Sequence, residues 1–496
     1  MLFLNVIYCI KMESIKHYSI FLILLVSTTV SSQSITEVID QTEKATFETR
    51  AYNSADLQTG MACGFFLSGD GLAITMGYIF EKADSAVITL RNGRTYQVKR
   101  IISIHPQSNL ALIKVEQTRQ KSFNYLLPSK QSFKQNEDLL YFTNQLESED
   151  GMTISPVNDL ISFPIIKRTG LINGSYFVNS AGAPAINRKG ELCGVINVST
   201  NGMHKILYNT YLLNDSNWVN INVPINEVSS NQNKRELLSP YISQSLLNIC
   251  REQYIEAAKG LSKHLKTHLK DDYAYNLRAY ARHYYQNIVG RREDIKRSIE
   301  LKPNGYLAYY FQSIFDLEEK KPKEAKINLE LSLTYKEDFA PAITQLAILN
   351  FSSNGDVRLA YDWFTRAIES DSLESKAYYE RSRLRLRHSD DQEATLSDIN
   401  KTIYLDPDKP GIYSIRGTIY FSNKDFLPAI NDFDVAIQKD INDVHAWFNR
   451  GIAHYNIGLH QKACYDWDKA GKLGNYDAFK YISRYCKNVK RNVYNR

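Results

Sequence analysis

The run GFFLSGDGLAITMGYIFEKADSAVITLRNGRTYQVKRI, Gly64–Ile101, decides how the first half of this chain folds. Met61 to Leu67 is small and aromatic, Ser68-Gly69-Asp70-Gly71 has the composition of a turn, and Leu72 to Phe80 resumes the apolar pattern, which predicts a hairpin. Ser85 to Leu90 and Thr95 to Ile104 flank Arg91-Asn92-Gly93-Arg94. Asn-Gly tolerates the positive φ values of a tight turn, so a second hairpin follows. Beyond that run, Asn109 to Glu116, Asp138 to Thr143, Leu160 to Ile166, Ser175 to Asn179, Glu191 to Ser199 and Asn217 to Val223 continue as short strands. Strands at intervals of about 8 to 20 residues argue for an all-β barrel or sandwich over residues 45–230. No comparable helical periodicity is read before about Asn233.

The 496 residues leave room for roughly three units of about 150, and 43 % hydrophobic with 23 % charged residues is a globular composition. Wholesale disorder, collagen and a multi-span membrane protein are excluded. A net charge of +6 with no long basic run argues against nucleic acid as a partner. Six Cys and ten His form no C-x-x-C and no close cluster, so no metal and no cofactor is expected. The 33 Tyr point to similar packing sites filled repeatedly.

Residues 1–32 read as a signal peptide: Lys11, Lys16 and His17, an apolar stretch from Ile20 to Val26, then small residues to Ser32. Met12 is an alternative start. The apolar stretch is too short to span a bilayer, so no transmembrane segment is expected after cleavage, and the location expected is secreted or periplasmic, in a Gram-negative envelope. There Cys63, Cys193, Cys250, Cys464 and Cys486 could oxidise, with an odd count leaving at least one thiol.

From about Asn233 the period changes. Residues 231–271 read as a linker helix, with Leu246, Leu247, Cys250, Tyr254, Ala257, Ala258 and Leu261 at helical spacing. Small residues then recur at Ala279, Ser313, Ala347, Ser382, Gly417 and Gly451, and again at Ser298, Ser332, Ala367, Thr402, Ala436 and Ala470. These steps of 34 to 35 residues resemble the tetratricopeptide repeat, a helix-turn-helix unit, with six repeats over 272–476 and a capping helix and basic tail over 477–496. Arg282 and Asp316 stand where the pattern prefers an aromatic. The resemblance implies a groove for protein or peptide clients, into which Asn276, Tyr310, Tyr379, Arg383, Arg387 and Asn449 are expected to point. Arg383 and Arg387, one turn apart, could hold a carboxylate, or be ordinary exposed residues.

In the first half, Gly64–Ile101, SNLALIKVE (Ser108–Glu116), NSAGAPAINRKGELCGVIN (Asn179–Asn197) and NINVPINEV (Asn220–Val228) together resemble the trypsin-like serine proteases of the high-temperature-requirement type. That resemblance implies a double six-stranded β-barrel with a Ser-His-Asp triad between the barrels. The family's landmarks are Thr-Asn-Ala-His-Val, Asp-Leu-Ala-Leu and Gly-Asn-Ser-Gly-Gly-Pro. Against them this chain reads Thr75-Met76-Gly77-Tyr78-Ile79, Asn109-Leu110-Ala111-Leu112 and Asn179-Ser180-Ala181-Gly182-Ala183-Pro184. Tyr78, Asn109 and Ala181 thus fall at the base, orienting and nucleophile positions.

Alanine offers no nucleophile, a phenol of pKa about 10 is a poor base at pH 7, and Asn cannot stabilise an imidazolium. The expectation is an inactive serine protease homologue, a binding or scaffolding protein. The alternative is a serine endopeptidase with Ser180 as fallback nucleophile, its repeats recruiting substrates. His105, ahead of Pro106, is expected to be a solvated loop residue. Cys63 and Cys193 flank the same cleft, either as a disulfide or as two buried thiols. The whole is a multidomain chain, a trypsin-like double β-barrel followed by an all-α tetratricopeptide-repeat solenoid.

Overall fold

The computed structural model describes residues 34–116, 122–130, 133–142, 152–157, 159–163, 166–173, 181–198, 204–210, 213, 218–228, 240–388 and 391–486. The leader over 1–32, the strand expected at Ser175 to Asn179, Ser180, and the basic tail lie outside the described residues.

Helix α1 (Ile35–Ala45) precedes every strand, contrary to the expectation of no helix in this half. Its start is written in the sequence. Ser34 accepts the Glu37 N–H and the Glu37 carboxylate accepts the Ser34 N–H, a reciprocal cap, and the helix buries Val38, Thr42 and Ala45.

Fourteen strands follow among the described residues: β1 (Thr46–Tyr52), β2 (Gln58–Phe66), β3 (Leu72–Met76), β4 (Ser85–Leu90), β5 (Thr95–His105), β6 (Leu110–Val115), β7 (Asp138–Phe142), β8 (Met152–Pro156), β9 (Asp159–Phe163), β10 (Ile166–Asn173), β11 (Pro184–Ile186), β12 (Leu192–Val198), β13 (His204–Asn209) and β14 (Val219–Pro224). The first sheet runs β14-β5-β4-β1-β2-β3-β6, and β5 also pairs with β6, so β1 to β6 close into a barrel with β14 added outside β5. Closure leaves no free edge among the six. Phe47, Phe65, Phe66, Ile74 and Ile113 fill it. The second sheet has seven strands in the order β8-β7-β11-β12-β13-β10-β9, where the resemblance implied six, and no closing pair is seen among the described residues. Strand β3 also ends earlier than expected. The Gly77 N–H turns to the Asn109 carbonyl at 2.6 Å, and Tyr78–Phe80 form a 3-10 turn.

The second half is helical throughout its described residues. Seven helix pairs follow in order: α2 (Pro240–Cys250) with α3 (Tyr254–Leu265), α4 (Asp272–Tyr284) with α5 (Ile288–Leu301), α6 (Tyr306–Glu318) with α7 (Pro322–Tyr335), α8 (Ala340–Asn354) with α9 (Val357–Ser370), α10 (Ser375–His388) with α11 (Gln392–Leu405), α12 (Ile412–Ser422) with α13 (Phe426–Lys439), and α14 (Val444–Asn456) with α15 (His460–Lys472). A single helix, α16 (Tyr476–Tyr485), ends the stack.

The single linker helix expected over 231–271 is therefore corrected to a pair. Its apolar spacing continues across a turn at Arg251–Gln253 that carries neither Gly nor Pro, because Glu252 itself takes a left-handed φ of 60°. The same position of later pairs is left-handed at Gln286, Lys320, Gly355, Lys424 and Gly458. Only two of these are glycine, which is why turn composition is a poor marker here.

All twelve small residues of the two repeating series are buried. The reason is close helix approach: a Cβ on Gly451 would stand 2.6 Å from the Trp467 indole nitrogen. A second recurring feature was not anticipated. Arg278, Arg381, Arg416 and Arg450 each clasp an Asp of the following helix through two nitrogens, Asp294, Asp398, Asp432 and Asp466, at 2.6–3.1 Å. Each Arg also donates to a polar residue of the preceding helix: Ser262, Thr365, Asn400 and Asp434 respectively. One guanidinium thus ties three helices. The four Asp are at most 5 % exposed, and bidentate pairing is what makes burying their charge tolerable. Arg282 and Asp316, odd against the repeat pattern, belong to this system: Arg282 donates to Asp294, and Asp316 accepts from Gln312 and Asn328.

Cys464 of α15 and Cys486, just past α16, are joined in a disulfide that fixes the last helix across a separation of 22 residues. Two outcomes are expected. Asp432→Ala strands Arg416 beside a buried gap and lowers helical stability by about 3–5 kcal/mol in a urea titration, whereas Asp408→Ala, at an exposed site, changes it by less than about 1 kcal/mol. Cys486→Ser removes the loop closure and costs about 3 kcal/mol of local stability, read as faster proteolysis confined to the segment after Lys472.

Candidate functional site at the junction of the two sheets

The residues placed at the three triad positions come from three elements. Asn109 precedes β6 and takes a left-handed φ of 56°, a conformation that Asn tolerates better than most side chains. From there it holds the turn after β3 twice. Its carbonyl accepts the Gly77 N–H and its side-chain oxygen accepts the Tyr78 N–H, each at 2.6 Å. Fully buried, Asn109 acts on the backbone of the Tyr78 turn.

Tyr78 projects its hydroxyl to the Met61 carbonyl of β2, donating at 3.2 Å. Burial, with Cys63 nearby, pushes its phenol up to about 12. A proton held that tightly is not given up near neutrality, and no base is generated.

Ala181 is buried at the start of the loop leading into β11. Its carbonyl accepts the Cys63 N–H of β2 at 2.8 Å, a bond from one sheet to the other. The Cys63 carbonyl accepts the Thr75 hydroxyl at 2.8 Å, and Thr75 in turn meets Thr49 at 3.2 Å. Gly182 follows with φ +86° and its missing Cβ would stand 2.2 Å from the Cys63 carbonyl oxygen, so no other residue fits. A further cross-sheet bond runs from the Asn197 amide of β12 to the Ser108 carbonyl at 3.2 Å, beside Asn109. Thus β2, the β3 turn, the β6 entry and the β11 loop are tied into one junction. Thr75 and Asn197, which brace it, were missed; Thr75 lay inside a quoted landmark, while Asn197 gave no local signal.

One expectation is corrected. His105 is not solvated: it is 1 % exposed at the end of β5, its Nδ1 2.8 Å from the Ser108 hydroxyl and its ring packed against Trp218. Of the two alternatives for Cys63 and Cys193 the structure has the buried thiols and no disulfide between them: both lie in one cluster with Phe133, Leu139 and Tyr141, and burial chiefly pushes the Cys193 thiol up to about 12.

Among the groove residues, the helical half brings together Tyr379, Arg383 and Arg387 on successive turns of α10. Arg383 lies 5.5 Å above the Tyr379 ring and pairs with Glu380 at 3.0 Å, and Arg387 is exposed. Asn276 and Tyr310 are corrected: both are buried, at 0 % and 6 % exposure, Tyr310 edge-on against Phe339 and Asn276 without a hydrogen-bond partner for its amide. Packing of the early first helices covers them. Asn449 is half-exposed on α14, apart from the α10 group. No group of three potential metal ligands occurs among the described residues.

No known protein-family profile matches the chain. A curated protein, "Putative serine protease HhoA" of Synechocystis sp., is 22 % identical over 206 residues, covering 39 % of this chain. The chain spans about half (48 %) of that relative's length. Among solved structures, the Rv3671c protease from M. tuberculosis in its active form is similar with 16 % identity and a TM-score of 0.29, over 35 % of this chain and 79 % of that one. The HtrA-type protease AlgWS227A with tripeptide is similar with 15 % identity and a TM-score of 0.32, over 36 % and 61 %. The N-terminal part of the chain has HtrA-like serine protease homology, followed by a helical region.

The Tyr78 phenol gives a pH test with a definite sign. An unfolded tyrosine ionises near pH 10, so the stability Tyr78 contributes is complete below that and is lost as pH rises through about 12. Absorbance at 295 nm, wild type minus Tyr78→Phe, is expected to be flat from pH 9 to 11. A tyrosinate step near pH 10 in that difference would contradict the buried placement.

Proposed function

We propose that this chain is a non-catalytic protein-binding or scaffolding protein of the cell envelope or exterior, in which a pseudoprotease barrel is joined to a tetratricopeptide-type solenoid. Ala181 carries the reading. Taken as the nucleophile position, it supplies a methyl group where acyl transfer needs a hydroxyl or thiol, and Tyr78 and Asn109 supply neither base nor orienting carboxylate. Loss of one triad member costs about 10⁴ to 10⁶ in turnover, and loss of all three removes the mechanism.

The binding half of the proposal is supported by the 34-to-35-residue recurrence of buried small residues and by paired helices that repeat at the same interval. The location is supported by the leader-like start of the sequence and by the Cys464–Cys486 disulfide, a bond favoured in oxidising compartments. No described helix is long and apolar enough to cross a membrane.

The test is reaction of the purified protein with a fluorophosphonate serine probe. No labelling is expected, before or after Ser180→Ala. Labelling of the wild type that disappears in Ser180→Ala would establish the endopeptidase reading instead.

A further inference from the structure

The last helix, α16, has two unlike faces. Inward, Ala478 is buried, and Tyr481 and Tyr485 pack on the Trp467 ring with centroids 5.1 and 6.0 Å away. The disulfide from Cys464 to Cys486 holds the end of the helix to α15. This face covers the last apolar surface of the stack.

The outward face is not what such a cover needs. A terminal element of a stacked array is expected to turn a polar surface to water. Here Tyr476 is 82 % exposed, more than any other large apolar residue among the described ones, and Phe479 is 50 % exposed. The inner edge of Phe479 lies over Gly471, where a Cβ would stand 3.0 Å from the ring. At 3.6 residues per turn, Phe479, Ser483, Tyr476, Lys480 and Arg484 share one arc of about 140°, opposite the buried side. Lys480 pairs with the exposed Asp477 at 2.8 Å, whereas Arg484, beside the Tyr485 ring, has no acidic partner among the described residues. From Ala478 onward the sequence holds six Lys or Arg and no Asp or Glu.

Exposed rings and unbalanced cations on one helix face discriminate between occupants. A second copy docked on the same face would set this positive surface against itself. A free anion would engage the cations and leave both rings in water. Nucleic acid fits less well, because a single exposed helix offers no groove to track a strand. An anionic bilayer satisfies both features: aromatic rings settle at the level of the headgroups while neighbouring cations meet the phosphates.

We propose that the outward face of α16 is a docking surface for an anionic lipid bilayer, with Tyr476 and Phe479 entering the headgroup layer and Lys480 and Arg484 meeting its phosphates. This goes beyond the protein-binding role proposed above and depends neither on the barrel nor on a groove in the repeats.

The test is flotation of the full-length protein with vesicles of equal parts phosphatidylglycerol and phosphatidylcholine, against vesicles of phosphatidylcholine alone. Binding to the anionic vesicles only is expected, weakened by raised salt. The double variant Lys480→Glu with Arg484→Glu should lose about tenfold or more in affinity, and Tyr476→Ser about threefold. Tyr476→Ser changes an exposed side chain and keeps the inward contacts, so it stays informative if the double variant melts differently from the wild type. Inorganic phosphate matched to the lipid phosphate should not displace the protein. No flotation with anionic vesicles, equal flotation with phosphatidylcholine, or full affinity in a variant that melts like the wild type overturns the proposal. Displacement by inorganic phosphate, or tighter binding to a single-stranded DNA oligonucleotide than to the vesicles, overturns it as well.

Discussion

The backbone of Cys63 is the point on which the barrel half turns. Its N–H holds the Ala181 carbonyl, its carbonyl takes the Thr75 hydroxyl, and Gly182 passes too close to it for any Cβ. None of these contacts uses a side chain at position 181. Because that bond joins backbone atoms, it does not depend on which side chain stands at position 181. The same separation holds at Asn109, whose oxygen caps the Tyr78 turn as a carboxylate could, while Tyr78 finds a carbonyl acceptor in Met61. On the proposed reading, Tyr78, Asn109 and Ala181 serve this junction through backbone and packing contacts and supply neither a base nor a nucleophile.

The helical half depends on a different constraint. Small side chains let paired helices approach closely beside large rings such as Trp467, and four guanidinium groups each bridge three helices there. Removing either partner of such a pair leaves a buried charge, which makes each rung a determinant of register and not a surface ornament. In the third of the six predicted repeats Leu346 stands where the Arg would be, and it is buried. Beside it Phe351 and Ile348 line an apolar opening with Leu384 of the next first helix. Of the two breaks in the charged series, at Gln312 and at Leu346, the second thus shares its helix with the apolar opening.

Much of this was legible in sequence because it is periodic or local. Alternating apolar runs with Asn92-Gly93 give hairpins, and two series of small residues at one interval give paired helices. What escaped depends on contacts distant in sequence or on unmarked turns. The α2–α3 turn at Glu252 carries no Gly or Pro, His105 becomes buried only when Trp218 returns against it, and the Arg–Asp rungs join residues 16 or 17 apart that no amphipathic pattern selects. Asn276 and Tyr310 were expected to face a groove because of their helical position, but tertiary cover decides exposure. The Ser34–Glu37 cap, by contrast, is local: a Ser followed three residues later by Glu marks the start of the helix.

On the proposed reading the barrel half does not hydrolyse peptide bonds, and peptide-bond hydrolysis tests that most directly. Reduced, carboxymethylated casein incubated with the purified protein and mapped by mass spectrometry should yield no new termini above a buffer control. New termini that accumulate with time and vanish in the Ser180→Ala variant would contradict the account.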